Sequence, residues 1–478
     1  MSERKNLSRR RFLHTALFGS AVGVLAACAP PAAAPAAKPA APAADAKPAD
    51  KPAEAPKPTE APAAAAGGET EGEMTFWGHA DHPIYDAGQA YMKINPKAKF
   101  VHVEMGDERV TKVEAALAAG SGAPDLFWYE ATDVQRLGRT GALLDVDEMV
   151  KKHEKDLVQA KLAEARVKGK YYGMPGDITP NTLWVRPDIL EKAGVPMFDK
   201  SLKYEDFITA AKVVKEKTDS SLFVFGADAG GQSTLMFQCP FYALGGNVSD
   251  ESGEEILFDK GDAAAKAVEY AKMAWDSKAG LDAGWFSPPY WAAIKEGKLG
   301  GTYSPPWMRG FFQTEVKTPE TGQGKWKNVI LPAYAGGEKN RTNVWGGATL
   351  CSFTQTKAPD LVKNFMEWTF ATDEGATVTG NWGIVPPYLP WLSTKLKEAK
   401  QTLFSDATWA DTVNEALGMM RGDFYRAPAY GVSGISGGPL FDKYFVPMMK
   451  GELAIKDGIA KWTEDIRTEN KKLLDSLK

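Results

Sequence analysis

Between residues 73 and 129, short apolar runs alternate with helical spacings, and that alternation leaves few folds open to the chain. Residues 73–77 form a strand-like run ending at Gly78, and helical spacing follows over 84–94 and stops ahead of Asn95-Pro96. Residues 99–103 alternate as a second strand, and 108–119 place Val110, Val113 and Leu117 on one helical face before Gly120. Asp125-Leu126-Phe127-Trp128-Tyr129 then reads as a buried strand. This β-α-β-α-β order predicts an α/β fold with a parallel sheet and helices on its faces. Such sheets bind ligands at the carboxyl ends of their strands. The turns to watch are therefore Gly78-His79-Ala80-Asp81-His82, Glu130-Ala131-Thr132-Asp133 and Gly176-Asp177-Ile178-Thr179.

Further along, 168–173 reads as a hairpin, 182–185 as a strand, and Pro187 opens a helix at its favoured first position. Helices are expected over 204–216, 262–277, 287–296, 358–370 and 455–474, and a strand over 343–353. The chain has 478 residues, whereas single cores stop growing near ~250–300 residues, so one core cannot hold it. No tandem repeat is present.

The first 68 residues have a different character. Arg4, Lys5, Arg9, Arg10 and Arg11 precede an apolar stretch over 12–27 that is too short to span a membrane comfortably, so 1–27 reads as an export signal. Ser8-Arg9-Arg10-Arg11-Phe12-Leu13 resembles a twin-arginine motif. Leu25-Ala26-Ala27-Cys28 resembles a lipobox, cut before Cys28 and lipidated on it; an ordinary secretory signal with a chance cysteine is the plainer alternative. Residues 29–68 hold 10 prolines and 19 alanines and no large core former, so 28–68 reads as a lipid anchor followed by an Ala/Pro-rich linker. Extended at about 3.1 Å per residue, such a linker would reach ~120 Å.

Composition removes several functions. With 57 basic against 61 acidic residues, the net charge of −4 gives no surplus for nucleic acid. Three cysteines make no disulfide framework and no zinc pair. His79-Ala80-Asp81-His82 lacks the helical spacing of a metal pair, so neither metal nor cofactor is expected. Gly434-Ile435-Ser436-Gly437-Gly438 matches the nucleophile-elbow pattern, but the last histidine is His153, ahead of the serine; the hydrolase order needs one after it.

The ordered series of segments resembles the extracellular solute-binding proteins of ABC importers, in their sugar-binding branch. The pieces are Thr75-Phe76-Trp77, Gly122-Ala123-Pro124-Asp125-Leu126-Phe127, Gly141-Ala142-Leu143-Leu144-Asp145-Val146 and Gly169-Lys170-Tyr171-Tyr172-Gly173-Met174-Pro175. They continue with Leu183-Trp184-Val185-Arg186-Pro187-Asp188-Ile189-Leu190-Glu191-Lys192-Ala193-Gly194, Trp345-Gly346-Gly347, Phe365-Met366-Glu367-Trp368 and Thr372-Asp373-Glu374-Gly375. The resemblance implies a two-lobed, type II periplasmic-binding-protein-like fold with a central hinge and an interlobe cleft. Lobe 1 would hold 69–180 plus 346–388, and lobe 2 would hold 181–343 plus 389–478. It implies a monomeric carrier, outside the cytoplasm on the outer face of the cell membrane, that delivers a sugar or oligosaccharide to ABC permease subunits, with no catalysis and no nucleic acid.

A sugar site needs carboxylates, amides or N–H groups for hydroxyls and flat rings for the C–H face. By the resemblance Trp307, in Ser304-Pro305-Pro306-Trp307-Met308, stacks on the sugar, and Glu130 and Asp177 bind hydroxyls. Asp81 and His82 in the first turn are further contacts. Trp345 and Trp382 divide between cleft and packing. Tyr425 and Tyr430 would line the cleft from the second lobe, and Arg309 and Arg426 are weaker candidates, since exposed arginines usually face solvent. Two other readings stay open: a glycoside hydrolase using Glu130 and Asp177, and the same fold binding a polyol phosphate or other small solute.

Overall fold

The structure, a computed structural model, describes residues 70–106, 108–226, 232–399, 402–405 and 408–477. The expected export signal, Cys28 and the linker lie outside the described residues. The described elements form two sheets, each flanked by helices, and a small hairpin.

The first sheet runs in the order β2-β1-β3-β10-β6, where β1 is Gly72–Gly78, β2 Ala98–Glu104, β3 Leu126–Glu130, β6 Met174–Pro175 and β10 Ala348–Ser352. β1 pairs parallel with both β2 and β3, as the alternation predicts. β10 arrives from far down the chain and lies antiparallel between β3 and β6. Side chains alternate across the sheet with the strand period of two. Leu126 and Leu350 face one core with helices Pro83–Ile94 and Pro359–Ala371. Phe127, Tyr129 and Cys351 face another with Val113, Val134 and Leu137. Asp125, just ahead of β3, ties it to β1: it accepts from Thr75 N at 2.8 Å, Thr75 Oγ1 at 2.9 Å and Thr356 Oγ1 at 2.6 Å.

The expected hairpin is β4 (Arg166–Val167) and β5 (Lys170–Tyr171), turned by Lys168 and Gly169 at φ 49° and 84°. Two successive positive φ values are the tight hairpin geometry. The second sheet is antiparallel throughout, β8-β7-β9, with β7 Thr182–Val185, β8 Gly301–Ser304 and β9 Lys327–Val329. Leu183 and Val185 enter one core with helices Tyr204–Thr218, Ala263–Ser277 and Ile455–Ser476, while Trp184 enters another with Trp326, Trp391 and Trp409.

Three stretches cross between the sheets side by side: residues 176–182, 342–348 and 383–387. Asn181 N donates to Asn343 O at 3.0 Å, Asn181 Nδ2 to Asn343 Oδ1 at 2.6 Å, and Ile178 N to Val385 O at 2.8 Å. The strand expected over 343–353 is confined to Ala348–Ser352. Gly346 and Gly347 at φ 73° and 88° turn the chain out of strand geometry, which makes the preceding residues a crossing. No helix among the described residues is long and apolar enough to cross a membrane.

Candidate functional site

Four of the expected residues, Trp345, Trp307, Asp177 and Arg426, come together at the crossing Trp345-Gly346-Gly347-Ala348. Trp345 O accepts from Trp307 Nε1 at 3.1 Å, Gly347 O from Arg426 Nη2 at 2.8 Å, and Ala348 N donates to Asp177 Oδ1 at 2.6 Å. The glycines are required: a Cβ on Gly346 would lie 3.0 Å from Trp307 Nε1, and one on Gly347 would lie 2.6 Å from Lys161 Nζ.

On one side of the crossing is a network of charges. Arg426, just ahead of helix Pro428–Ser433, holds Glu164 with two hydrogen bonds of 2.9 and 2.8 Å and reaches Glu130 at 3.3 Å. Lys161 pairs with Glu164 from the next turn of helix Gln159–Ala165. Lys161, Glu164, Asp177 and Arg426 are all buried, while the Glu130 side chain, at the end of β3, is 52% exposed. Burial would raise Glu164, but Arg426 and Lys161 beside it hold it below the ordinary carboxylate range. Asp177 goes the other way: burial lifts it to about 6, against the pull of Lys161, the Ala348 amide and Arg426. Glu130, enclosed by protein yet open on one side, is lifted by desolvation to about 7 in spite of Arg426. Glu130 is thus a half-exposed carboxylate beside a buried, charge-paired network.

On the other side are aromatic rings. Trp345 lies 4.2 Å from Trp285, centroid to centroid, and Trp307 lies 5.5 Å from Trp285 and 6.0 Å from Trp345. Phe286 and Phe311 stand 37% and 38% exposed, with their rings 5.1 Å apart. Trp382, at the end of helix Asp373–Trp382, lies 6.0 Å from Phe311 and donates its Nε1 to Asp81 Oδ1 at 2.7 Å. The N–H groups of Trp307 and Trp382 are thus spent on the protein, and both indoles are partly exposed. Trp307 is half-buried and packs against three core clusters, on both sides of the crossing. Trp345 is buried.

The remaining expected residues are more peripheral. Asp81 is exposed and holds Trp382. His82 caps a helix, accepting Ile84 N at 3.2 Å, and lies 4.9 Å from Phe76 and 5.5 Å from Trp128. Desolvation, then His79, Arg109 and His102, push His82 down to about 3, so it stays neutral at ordinary pH. Tyr425 is half-buried beside Arg426. Arg309 and Arg426, read as solvent-facing arginines, are instead both buried. Lys161, Glu164, Trp285, Phe286 and Phe311 were not anticipated. Trp285-Phe286, set between Gly284 and Ser287-Pro288, carried a usable signal: two adjacent aromatics in a loop.

Ser436 has none of the surroundings of a nucleophile elbow. It sits in a turn between helices Pro428–Ser433 and Pro439–Lys450, and its Oγ donates to Tyr430 Oη at 3.1 Å. Among the described residues no cluster of His, Cys, Asp or Glu could hold a metal ion.

Residues 86–405 match the family described as bacterial extracellular solute-binding protein. The arabinooligosaccharide-binding protein of Bacillus subtilis (strain 168) is 24% identical over 356 residues, which is 70% of this chain and 77% of that protein. The fold matches the ABC transporter associated binding protein from B. animalis subsp. lactis Bl-04, solved with beta-1,6-galactobiose, at TM-score 0.69 and 20% identity over 84% of this chain and 98% of that one. It also matches the sugar-binding protein MalE from Xanthomonas citri at TM-score 0.67 and 15% identity, over 84% and 98% of the two chains. These are two-lobed, type II binding-protein folds, and the two sheets with their three crossings are that fold. With the family match spanning two thirds of its length, the chain belongs to the bacterial extracellular solute-binding proteins.

Proposed function

We propose that the solute is a neutral sugar or oligosaccharide, held in the gap between the two sheets and passed intact to the permease of an ABC importer. The observation that carries this is that aromatic and carboxylate groups come together around residues 345–348: Trp307 and Asp177 bond to them directly, and Glu130 stands beside them through Arg426. Sugars need both. The names of the relatives, an arabinooligosaccharide binder and a galactobiose complex among them, support the same class. A phosphorylated solute would call for unpaired arginines, whereas Arg426 is already committed to Glu164.

In this reading lobe 1 is 69–180 plus 346–388 and lobe 2 is 181–343 plus 389–478, and the three crossings are the hinge. Only the closed form brings both sets of contacts to the sugar, so binding favours closure. Arg426 to Glu164, Arg139 Nη2 to Ser252 O at 2.8 Å and Arg166 to Glu251 at 3.2 Å are the contacts that join the lobes when they meet. Cys28 and the Ala/Pro-rich linker would keep the body near the membrane. The protein makes and breaks no bond.

The test is calorimetry of the purified body against a panel containing arabinooligosaccharides, β-1,6-galactobiose and other neutral oligosaccharides, with chromatography of the sugar afterwards. A binder returns the sugar intact, and Trp307→Ala should weaken its affinity at least tenfold. Cleavage products, or an unchanged affinity in Trp307→Ala, would overturn the proposal.

A further inference from the structure

Arg309 presents a physical problem. It is wholly buried, its Nε and Nη1 have no hydrogen-bond partner, and its guanidinium lies 4.4 Å over the Trp409 ring. Among the described residues no carboxylate balances it, and burial pulls its pKa down to about 9. A buried cation without a counter-ion costs stability. Stability alone gives no reason for an arginine here.

Its hydrogen bond among the described residues indicates what it does. Arg309 Nη2 donates to Gly380 O, in the last turn of helix Asp373–Trp382. The final carbonyls of a helix lack internal partners and carry partial negative charge, which a cation complements. Arg309 itself lies in the first turn of helix Met308–Glu315, two residues after Trp307, and Gly380 lies two residues before Trp382. The same two helix ends touch backbone to backbone. A Cβ on Gly383 would lie 2.7 Å from Gly310 N, and one on Gly310 would lie 3.1 Å from the Trp382 ring. Phe311 fills the space between the tryptophans, 5.9 Å from Trp307 and 6.0 Å from Trp382.

We propose that Arg309 is a positioning residue: by clasping the end of helix Asp373–Trp382 to the start of helix Met308–Glu315, it sets Trp382 against Phe311 and Trp307 and so fixes the spacing of the aromatic platform. It touches no ligand. The inference rests on the reading that these rings bind the sugar, and it predicts a residue retained at a cost in stability for the sake of geometry.

The test is Arg309→Met, which keeps the volume and removes the charge. For the panel sugar that the wild type binds best, affinity should fall about tenfold while the melting temperature stays level or rises. In the sugar-free protein labelled with 5-fluorotryptophan, the 19F resonances of Trp307 and Trp382, assigned through Trp→Phe variants, should both move. Gly310→Ala keeps the arginine but presses on the Trp382 ring, and should weaken affinity and move the Trp382 resonance in the same way. An Arg309→Met protein that loses melting temperature, or folding, together with affinity overturns the proposal, because the arginine would then be a structural prop. Unmoved resonances overturn it as well, whatever the sugar does. If no panel sugar binds the wild type while the resonances move, the sugar reading fails and the positioning stands. If the wild type binds, Trp307→Ala weakens binding and Arg309→Met does not, the positioning fails and the sugar reading stands.

Discussion

Replacing Asp177 by asparagine should make the ligand-free protein more stable, and by an amount that depends on pH. The asparagine oxygen can still accept the Ala348 amide that Asp177 Oδ1 holds at 2.6 Å, so the hinge hydrogen bond survives and only the charge is lost. Burial raises the Asp177 carboxyl from its ordinary 3.8 to about 6. At 1.36 kcal/mol per pKa unit, that shift corresponds to about 3 kcal/mol. An acid whose pKa is raised by folding contributes favourably below its unfolded value, and the contribution fades as pH climbs through the folded value. At about pH 8 the wild type therefore carries the whole cost of ionising Asp177, and near pH 4 it carries only a few tenths of a kcal/mol. Urea unfolding of both proteins without sugar, at these two pH values, reads the difference as a change in midpoint at constant slope. A gain of about 2–3 kcal/mol for Asp177→Asn at the higher pH, nearly vanishing at the lower, is the expected result. A loss of stability at pH 8, or a gain of equal size at both, would refute the reasoning, because the carboxylate would then be stabilised in place and not merely tolerated for its use.

Three further outcomes follow from the same geometry. Gly347→Ala must place a side chain at φ 88° with its Cβ 2.6 Å from Lys161 Nζ and 3.0 Å from Thr179 Oγ1; it should cost about 2 kcal/mol or more in urea unfolding. Arg426→Met leaves Glu164 with Lys161 alone and should cost about 3 kcal/mol, at the low end for a broken buried pair because one partner remains. Sugar affinity measured by calorimetry should rise as pH passes upward through about 7, where Glu130 ionises and becomes the stronger acceptor. Glu130→Gln should flatten that profile, and a variant that keeps the wild-type slope would remove Glu130 from the titration.

Where burial follows from a local repeat, it could be read from the sequence. The alternation through β1, β2 and β3, the amphipathic helix Pro359–Ala371 and the hairpin around Lys168-Gly169 all lie close to where spacing puts them. The sequence offers Trp307, Trp345, Asp177 and Arg426 only one by one; the hydrogen bonds on residues 345–348 that tie them together join distant parts of the chain that no local spacing connects. What escaped depends on parts of the chain that lie far apart. Lys161 and Glu164 stand three residues apart on a short helix, a spacing that reads as a solvated pair; their burial comes from Arg426, 262 residues after Glu164. Arg309 reads as a surface cation because nothing nearby in sequence reveals that Trp409 and Gly380 close over it. The strand expected over 343–353 gives way at Gly346 and Gly347, whose positive φ values no local spacing reveals.

The late arrival of β10 has a cost in time. The first sheet cannot be completed until Ala348–Ser352 has been made, some 220 residues after its neighbour β3. Closing so long a stretch of chain delays the pairing and slows folding. On the ribosome, β1 to β3 must therefore wait with an open edge while the entire second sheet emerges and folds. A fragment ending before residue 348 would keep that edge bare, so such a truncation is where aggregation during synthesis should be looked for first.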